Sequence, residues 1–216
     1  MARQGRSTTP LHSKLGLLET YEQQNPPLAE AEWRGRAWAF EQARQSQPLK
    51  DFTITDMHRA MFEPLLDWAG STRTEDCGPG AKLFVPWWGV RIALRNFQDD
   101  FALWLTQVGS NPSLEQIVGV VADAHHRFQW IHPFRDTNGR TGRVLDHFVL
   151  WSCFGLADTS LERSVIVEHF PDASREHEYY EGLDEADLRK PKRLQAYYAE
   201  RIQAALDEKD PETQGH

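Results

Sequence analysis

Cysteine is scarce in this sequence: the two residues, Cys77 and Cys153, are too few for a disulfide framework and show no C-x-x-C spacing. We therefore expect two small apolar side chains in a reducing compartment and no structural zinc site. Long hydrophobic runs are also missing, because no stretch approaches the roughly 18 apolar residues that span a bilayer. The N terminus lacks the apolar centre of a secretory signal. These absences predict a cytoplasmic protein without a membrane partner, although an effector injected into a host cell would lack such a signal as well.

Positive charge is outnumbered, with 24 Lys and Arg residues against 32 Asp and Glu residues and a formal net charge of -8. General nucleic-acid binding needs a clustered excess of basic side chains, so no direct nucleic-acid binding is expected. The 216 residues are 40% hydrophobic, which is enough for one compact domain with its own core. We place this domain at residues 26–206, between a polar N-terminal extension (1–25) and a polar C-terminal tail (207–216).

Hydrophobic spacing predicts a mainly α protein. Breaks rich in Gly, Pro and Asn separate the helical segments. The predicted helices run from about Asn25 to Ser46, Thr55 to Trp68, Trp88 to Val108, Ser113 to Ile131, the Asn138-Gly139 turn to Trp151, Ala173 to Asp187 and Lys192 to Leu206. Ser113 and Gln116 have the spacing of a capping box. The turn Gly78-Pro79-Gly80 predicts a small β-hairpin from Ser71 to Val85.

The stretch HPFRDTNGR, from His132 to Arg140, interrupts the two most apolar predicted helices. An Asn-Gly turn that opens a helix directs free backbone N–H groups outward at the positive end of the helix dipole, which suits a phosphate. Arg140 and Arg143 lie three positions apart, so both guanidinium groups would face the same polyanion. Asp136 is suited to hold Mg2+ against phosphate oxygens, because that ion needs only one or two protein carboxylates.

His132 is the candidate general base, because an imidazole with an ordinary pKa of about 6.5 accepts a proton at neutral pH. Each residue also has an ordinary structural explanation: a cap for His132, a loop cap for Asp136, a simple turn for Asn138-Gly139 and a solvated helical face for the two arginines. Phe134 is expected to pack in the core. Because all of these types occur within twelve residues between two apolar helices, the combination favours a nucleotide site.

The residues from His132 to Arg143 resemble the Fic motif, H-x-F-x-(D/E)-(G/A)-N-(G/K)-R-x-x-R, at every functional position. The resemblance extends more faintly from about Leu28 to Leu206. It implies a Fic-type helical domain with a small β-hairpin flap. It also implies a protein adenylyltransferase (AMPylator), which moves AMP from ATP to a Ser, Thr or Tyr hydroxyl of a target protein. ATP would be the co-substrate and Mg2+ the cofactor.

The resemblance assigns a role to each motif position. His132 would deprotonate the attacking hydroxyl, and Asp136 would hold Mg2+ against the α- and β-phosphates. The other residues would bind nucleotide: Phe134 as the core anchor of the loop, Asn138 and Gly139 as the anion hole, Arg140 on the phosphates, Thr141 in the phosphate loop and Arg143 at the γ-phosphate. Thr137 departs from the pattern, because Gly or Ala usually stands there and a β-branched residue stiffens the loop. That departure leaves ATP binding in place but puts the rate and the transferred group in question.

The predicted hairpin from Ser71 to Val85 lies where the family has its flap, which binds an extended target segment by strand addition. Lys82, Leu83 and Phe84 are the residues expected to face the target protein. The alternative is an ordinary surface hairpin. Trp87 and Trp88, which follow the hairpin, are either docking surface or core.

Many relatives carry an inhibitory helix with the pattern (S/T)-x-x-x-E-(G/N), whose glutamate pairs with the arginine at the Arg143 position and blocks productive ATP binding. Three stretches here have the Ser-to-Glu spacing, starting at Ser71, Ser164 and Ser174, but none has Gly or Asn after the glutamate. The chain therefore resembles the branch inhibited by a separate antitoxin-like protein, and its length and N-terminal half are similar to the mobile mystery protein B subgroup. In that branch it would be the toxin of a toxin–antitoxin-like pair.

Three other functions stay open. Gly139 distinguishes the chain from the Doc-like kinase branch, which has Lys at that position, so nucleotidyl transfer is favoured over phosphorylation. A metal-dependent phosphohydrolase of the HD type is suggested by His125 and His126 beside the motif, but the chain has only the reversed pair Asp146-His147. A catalytically silent Fic-fold binding protein would need neither a base nor a metal ligand.

Overall fold

The computed structural model describes residues 11–14, 16–18, 21–45, 51–77, 84–169 and 173–209. Over these ranges the chain forms seven α-helices and one two-stranded antiparallel ribbon. The elements are β1 (Leu11–Ser13), β2 (Gly16–Leu18), α1 (Tyr21–Arg44), α2 (Asp51–Phe62), α3 (Val90–Val108), α4 (Leu114–Ile131), α5 (Asn138–Phe154), α6 (Ala173–Asp187) and α7 (Lys192–Asp207). The mainly α class predicted from the sequence is confirmed.

Two central helices, α4 and α5, form the middle of the core. The predicted capping box begins α4: Ser113 Oγ accepts the Gln116 N–H at 3.3 Å, and the Gln116 side chain accepts the Ser113 N–H at 2.8 Å. Both helices are apolar on most sides and bury large side chains completely, such as Phe128 and Phe148. Gly142 lets them approach closely, because a Cβ there would lie only 2.4 Å from Gln129 Nε2. The other helices pack around this pair, with α1 against α5, α3 and α7 against α4, and α6 against α7.

The ends of four helices differ from the predicted ones, and one of these is α5, which continues to Phe154, three residues beyond Trp151. Helix α1 begins at Tyr21, so Pro26 and Pro27 lie inside it rather than at its start. Helix α2 ends at Phe62 instead of Trp68, because Pro64 has no N–H to continue the hydrogen-bond ladder. Turns then lead to Gly70, which adopts a positive φ of 78°. Helix α3 begins at Val90, after a short 3-10 turn at Trp87–Gly89.

The predicted hairpin from Ser71 to Val85 is described in part. Its turn, with Lys82 and Leu83, lies outside the described residues, and residues 71–77 and 84–85 contain no strand. The ribbon that the described ranges do contain is β1–β2, where Leu11 pairs with Leu18. It falls in the N-terminal stretch, residues 1–25, that the sequence predicts to be a polar extension. None of the helices in the described ranges combines the length and apolar character needed to cross a bilayer.

Candidate active site

The loop between α4 and α5 is held from both sides by the core. Helix α4 ends at His132, whose backbone is left-handed (φ 49°) and whose N–H donates to Phe128 O at 2.9 Å. Phe134 is fully buried, and its ring stacks on that of His58 with centroids 3.8 Å apart. The predicted packing role of Phe134 matches this position. Six residues, 132–137, therefore turn the chain between two fixed helix ends.

Asn138 braces this loop with both ends of its side-chain amide. Its Oδ1 accepts the Phe134 N–H and its Nδ2 donates to Phe134 O, each at 2.9 Å. Gln129 Nε2 in turn donates to Asn138 O at 3.3 Å. Because these buried hydrogen bonds cross the base of the loop, they fix the position at which α5 begins. The Asn138 side chain thus positions the backbone of the predicted anion site, and its amide bonds to the loop rather than lining that site.

The imidazole of His132 is oriented by its own helix. Nδ1 lies 3.3 Å from Gln129 O, and a carbonyl oxygen only accepts, so Nδ1 carries the proton in the neutral ring. The lone pair is then on Nε2, as a general base requires. Phe84 stacks on the same ring with centroids 4.1 Å apart. Of the three predicted target-facing residues, Phe84 is the one described, and it lies directly on the candidate base.

Asp136 is a single carboxylate in partly buried surroundings. Burial raises the pKa of this carboxyl, while the N–H of Thr137 and the positive charge of Arg140 oppose the shift. Oδ1 accepts the Thr137 N–H at 2.5 Å, and Oδ2 accepts no hydrogen bond from the described residues. Nor do those residues contain a group of three or more His, Cys, Asp or Glu side chains able to hold a metal. One carboxylate with a free oxygen fits Mg2+ shared with nucleotide phosphates, but not a metal held by protein alone.

The N terminus of α5 has the predicted properties of an anion site. Thr137 precedes the helix in a left-handed conformation (φ 66°), and its side chain caps none of the described α5 residues. The described residues leave space above the first turn, because a Cβ at Gly139 would meet only Arg143 Nη1 among them, at 3.9 Å. The Thr141 hydroxyl points back and donates to Thr137 O at 3.1 Å. Half-buried Arg140 adds a positive charge beside the uncapped end, so the arrangement suits a phosphate.

The spacing predicts that Arg140 and Arg143 face the same polyanion. In the structure, however, Arg143 forms an ion pair with Glu32 of α1. Arg143 Nη2 lies 2.8 Å from Glu32 Oε2, and Nε lies 3.3 Å from Oε1. Burial alone would raise the pKa of Glu32, but the charge and hydrogen bonds of Arg143, helped by Arg36, lower it to about 2. Glu32 also accepts from Arg36 Nη2 at 3.1 Å. The sequence did not reveal Glu32, because the residues around it do not fit the inhibitory pattern. Leu28 stands where that pattern has Ser or Thr, and Trp33 stands where it has Gly or Asn.

Arg73 is a second residue in contact with the site that the sequence did not reveal. Its buried guanidinium donates to His132 O through Nε at 2.8 Å and to Val85 O through Nη2. The Arg73 N–H donates to Pro133 O at 2.9 Å. A cation at the C-terminal end of α4 is electrostatically favourable. Arg73 therefore joins both described ends of the predicted flap to the residue that carries the candidate base.

The histidines that suggested a phosphohydrolase have separate structural partners. His125 is fully buried, with Nδ1 at 2.9 Å from Asp146 Oδ2 and Nε2 at 2.6 Å from the Tyr179 hydroxyl. His126 instead pairs with Asp187 at 2.9 Å. These two rings do not converge with Asp136 on one metal position. The geometry therefore does not favour the HD-type alternative.

Trp87 and Trp88 are not core residues. They lie in the 3-10 turn just before α3, and the residues are 45% and 70% exposed. Ile92, one turn further along the helix, is 64% exposed. The segment lies beside the candidate base, because the Val85 N–H approaches Trp130 O at 3.5 Å, two residues before His132. Of the two alternatives posed by the sequence, the exposed position agrees with docking surface.

Comparison with known proteins identifies the fold. Residues 48–150 match the family model described as the Fic/DOC family. No curated protein matches the chain.

Solved structures give the same result over most of the chain. A Fic domain containing signaling protein from Bacteroides thetaiotaomicron is 16% identical with a TM-score of 0.69, covering 89% of this chain and 74% of that chain. BepC, a VirB-translocated effector from Bartonella tribocorum with bound AMPPNP, is 16% identical with a TM-score of 0.61, covering 91% and 93%. Fic-1 from C. elegans is 22% identical with a TM-score of 0.60, covering 85% and 52%. At these identities the likeness shows the fold, and the predicted Fic-type helical domain is confirmed.

Proposed function

Because this chain belongs to the Fic/DOC family, we propose that it is a protein adenylyltransferase, which moves AMP from ATP to a Ser, Thr or Tyr hydroxyl of a target protein. One observation carries the proposal. The loop from His132 to Thr137 brings together an oriented imidazole, a carboxylate whose Oδ2 accepts no hydrogen bond from the described residues, and an α5 N terminus that the Thr137 side chain does not cap. A base, a magnesium ligand and an anion site are the parts that nucleotidyl transfer needs.

In the proposed reaction the hydroxyl oxygen of the target attacks the α-phosphorus of ATP, and its proton passes to His132 Nε2. The new P–O bond forms as the bond to pyrophosphate breaks, so pyrophosphate leaves with the electron pair. The first-turn N–H groups of α5 and the guanidinium of Arg140 receive the phosphate charge. When bound beside Asp136, Mg2+ would neutralise negative charge on the phosphate oxygens. Phe84, stacked on His132, places the predicted flap where a target segment would meet the base.

Regulation is part of the same proposal. ATP must compete with Glu32 for Arg143, the residue that the family resemblance assigns to the γ-phosphate. The Arg143–Glu32 ion pair supports the proposal that α1 restrains ATP binding. The proposal of a separate antitoxin-like inhibitor is supported only by the absence of the inhibitory sequence pattern. The target protein, bound at the flap, and the role as the toxin of a pair are likewise proposals. If an inhibitor acts in trans, adding it to the Glu32→Gln variant should still suppress the reaction.

Radiolabel transfer tests the reaction. The protein, Mg2+ and a cell lysate are incubated with ATP labelled at either the α- or the γ-phosphate. AMP transfer predicts protein bands labelled only by α-labelled ATP, and His132→Ala should remove them. His177→Ala is a matched control, because that histidine lies on α6 with an exposed side chain. Bands from the γ-label would indicate a kinase. Phosphate release without bands would indicate a hydrolase, and binding of AMPPNP without turnover would indicate a silent binding protein.

A further inference from the structure

Thr137 combines two features that are unfavourable for its residue type. It stands where related motifs have Gly or Ala, and its backbone is left-handed with φ 66° and ψ 9°. A β-branched residue in this region is strained by its Cβ, so surrounding contacts must hold it there. The residue is also buried, which means that its hydroxyl needs hydrogen-bond partners inside the protein.

His58 of α2 supplies those contacts through a directed chain of hydrogen bonds. The Gly70 N–H donates to His58 Nδ1 at 2.8 Å, so Nδ1 holds a lone pair and the proton of the neutral ring is on Nε2. Nε2 lies 3.0 Å from Thr137 Oγ1 and therefore donates to it. The Thr137 hydroxyl then donates to Asp136 O at 2.5 Å. Every donor in the chain points from the Gly70 turn toward the loop.

The position of His58 is itself fixed. The ring is fully buried and packs between Phe134, at a centroid distance of 3.8 Å, and Trp68, at 5.5 Å. Its plane is only 19° from that of Phe134 and 30° from that of Trp68. Because Phe134 belongs to the motif loop, the ring contacts the loop both by stacking and by its hydrogen bond. His58 cannot move without displacing one of these contacts.

We infer that His58 is a positioning residue for the phosphate loop, and that His58 and Thr137 act as one coupled pair. A Thr that caps a helix ordinarily has an extended backbone, whereas the left-handed backbone of Thr137 directs its hydroxyl away from the first-turn N–H groups. The hydrogen bond from His58 holds the hydroxyl, and with it this backbone, in that position. The first-turn N–H groups of α5 are thereby left to the nucleotide, and the backbone of Asp136 is fixed beside them. This inference rests on the proposed nucleotide site, and it explains the departure of Thr137 from the family pattern.

A double-mutant cycle on binding of Mg2+ and AMPPNP tests the coupling by calorimetry. We expect Thr137→Val and His58→Leu each to weaken binding about tenfold, because each breaks the buried hydrogen bond. In the Thr137→Gly background, where glycine adopts positive φ without strain, His58→Leu should weaken binding by less than about twofold. His58→Gln, which retains a donor for Thr137, should restore most of the affinity. Equal losses from His58→Leu in both backgrounds would overturn the coupling.

A second measurement tests the inference without nucleotide, and its main observation is made on the wild-type protein. The 15N chemical shifts of the His58 ring in the wild-type protein should report the Nε2-protonated neutral form at pH 7. Thr137→Val should change the Nε2 shift while leaving the fold intact by circular dichroism. A ring protonated on Nδ1 would refute the inference. If the wild type shows the expected shifts but binds no AMPPNP, the proposed function fails and the positioning contact stands.

Discussion

The free energy of unfolding should fall steeply between about pH 6.5 and pH 5, because His58, His147 and His169 are buried and the pKa of each is lowered. His58 and His147 are fully buried, and burial, together with nearby arginine charge, lowers the pKa of each ring from 6.5 to about 3. In each ring a backbone N–H donates to one nitrogen: Gly70 to His58 Nδ1 at 2.8 Å, and Val167 to His147 Nε2 at 3.1 Å. Protonation would replace each of these hydrogen bonds with repulsion between two N–H groups.

The size of the effect follows from proton linkage. As the pH falls below 6.5, each ring is protonated in the unfolded chain but stays neutral in the folded protein until about pH 3. Stability therefore falls by up to about 1.4 kcal/mol per pH unit for each of these two histidines, or about 3 kcal/mol for both between pH 6.5 and pH 5. That is a large part of the roughly 5–15 kcal/mol by which domains are stable. His169, whose pKa is also lowered by burial, adds to the fall in the same direction.

Glu32 and Asp146 act at lower pH than this slope. They have pKa values lowered to about 2, so their contribution is complete above their ordinary values of 4.5 and 3.8. It is lost only as the pH falls from those values toward about 2. Asp136 and Asp123, whose pKa values are raised by burial, oppose the slope, because each takes up its proton in the folded protein at a higher pH than in the unfolded chain.

Urea unfolding at about pH 7.5, 6.5, 5.5 and 5 measures the slope directly. His58→Gln should reduce it by roughly a third to a half, because one of the buried rings with a lowered pKa is removed. His177→Ala should leave it unchanged, since that side chain is 71% exposed. Equal stability at pH 7.5 and pH 5, or an unchanged slope in His58→Gln, would refute the reasoning.

Three substitutions test the other contacts of the site. Glu32→Gln should release Arg143 and strengthen AMPPNP binding while lowering stability by about 3 kcal/mol, because a buried cation loses its partner; unchanged calorimetric affinity would contradict the proposed restraint. Arg73→Ala should reduce transfer of AMP to protein targets by about tenfold or more, while AMPPNP binding persists. A parallel loss of transfer and binding would show that Arg73 holds the whole motif loop and not only the predicted flap. Trp88→Ala should change stability by less than about 0.5 kcal/mol, because the side chain is exposed, but should lower protein labelling; full labelling would remove Trp88 from the docking surface.

Local features of the sequence were enough to predict most of the helices and the centre of the site. Helices α3, α4, α6 and α7 lie within about two residues of their predicted ends, because apolar spacing and capping residues act over one or two turns. The same holds for the motif loop, whose bracing hydrogen bonds join Phe134 and Asn138, only four residues apart. Helix α1 was placed less well, because its prolines were assigned to the start when the chain enters the helix a turn earlier.

The tertiary structure alone decided which distant side chains complete the site. Arg143 meets Glu32 across 111 residues, Thr137 meets His58 across 79, and His132 O accepts from Arg73 across 59. No periodic pattern links such positions, since each pairing depends on how α1, α2 and the Gly70–Val85 segment pack against the central helix pair. The composition of the loop determined what chemistry is available. The packing of the whole core determined which of those groups are held, neutralised or left open to a phosphate.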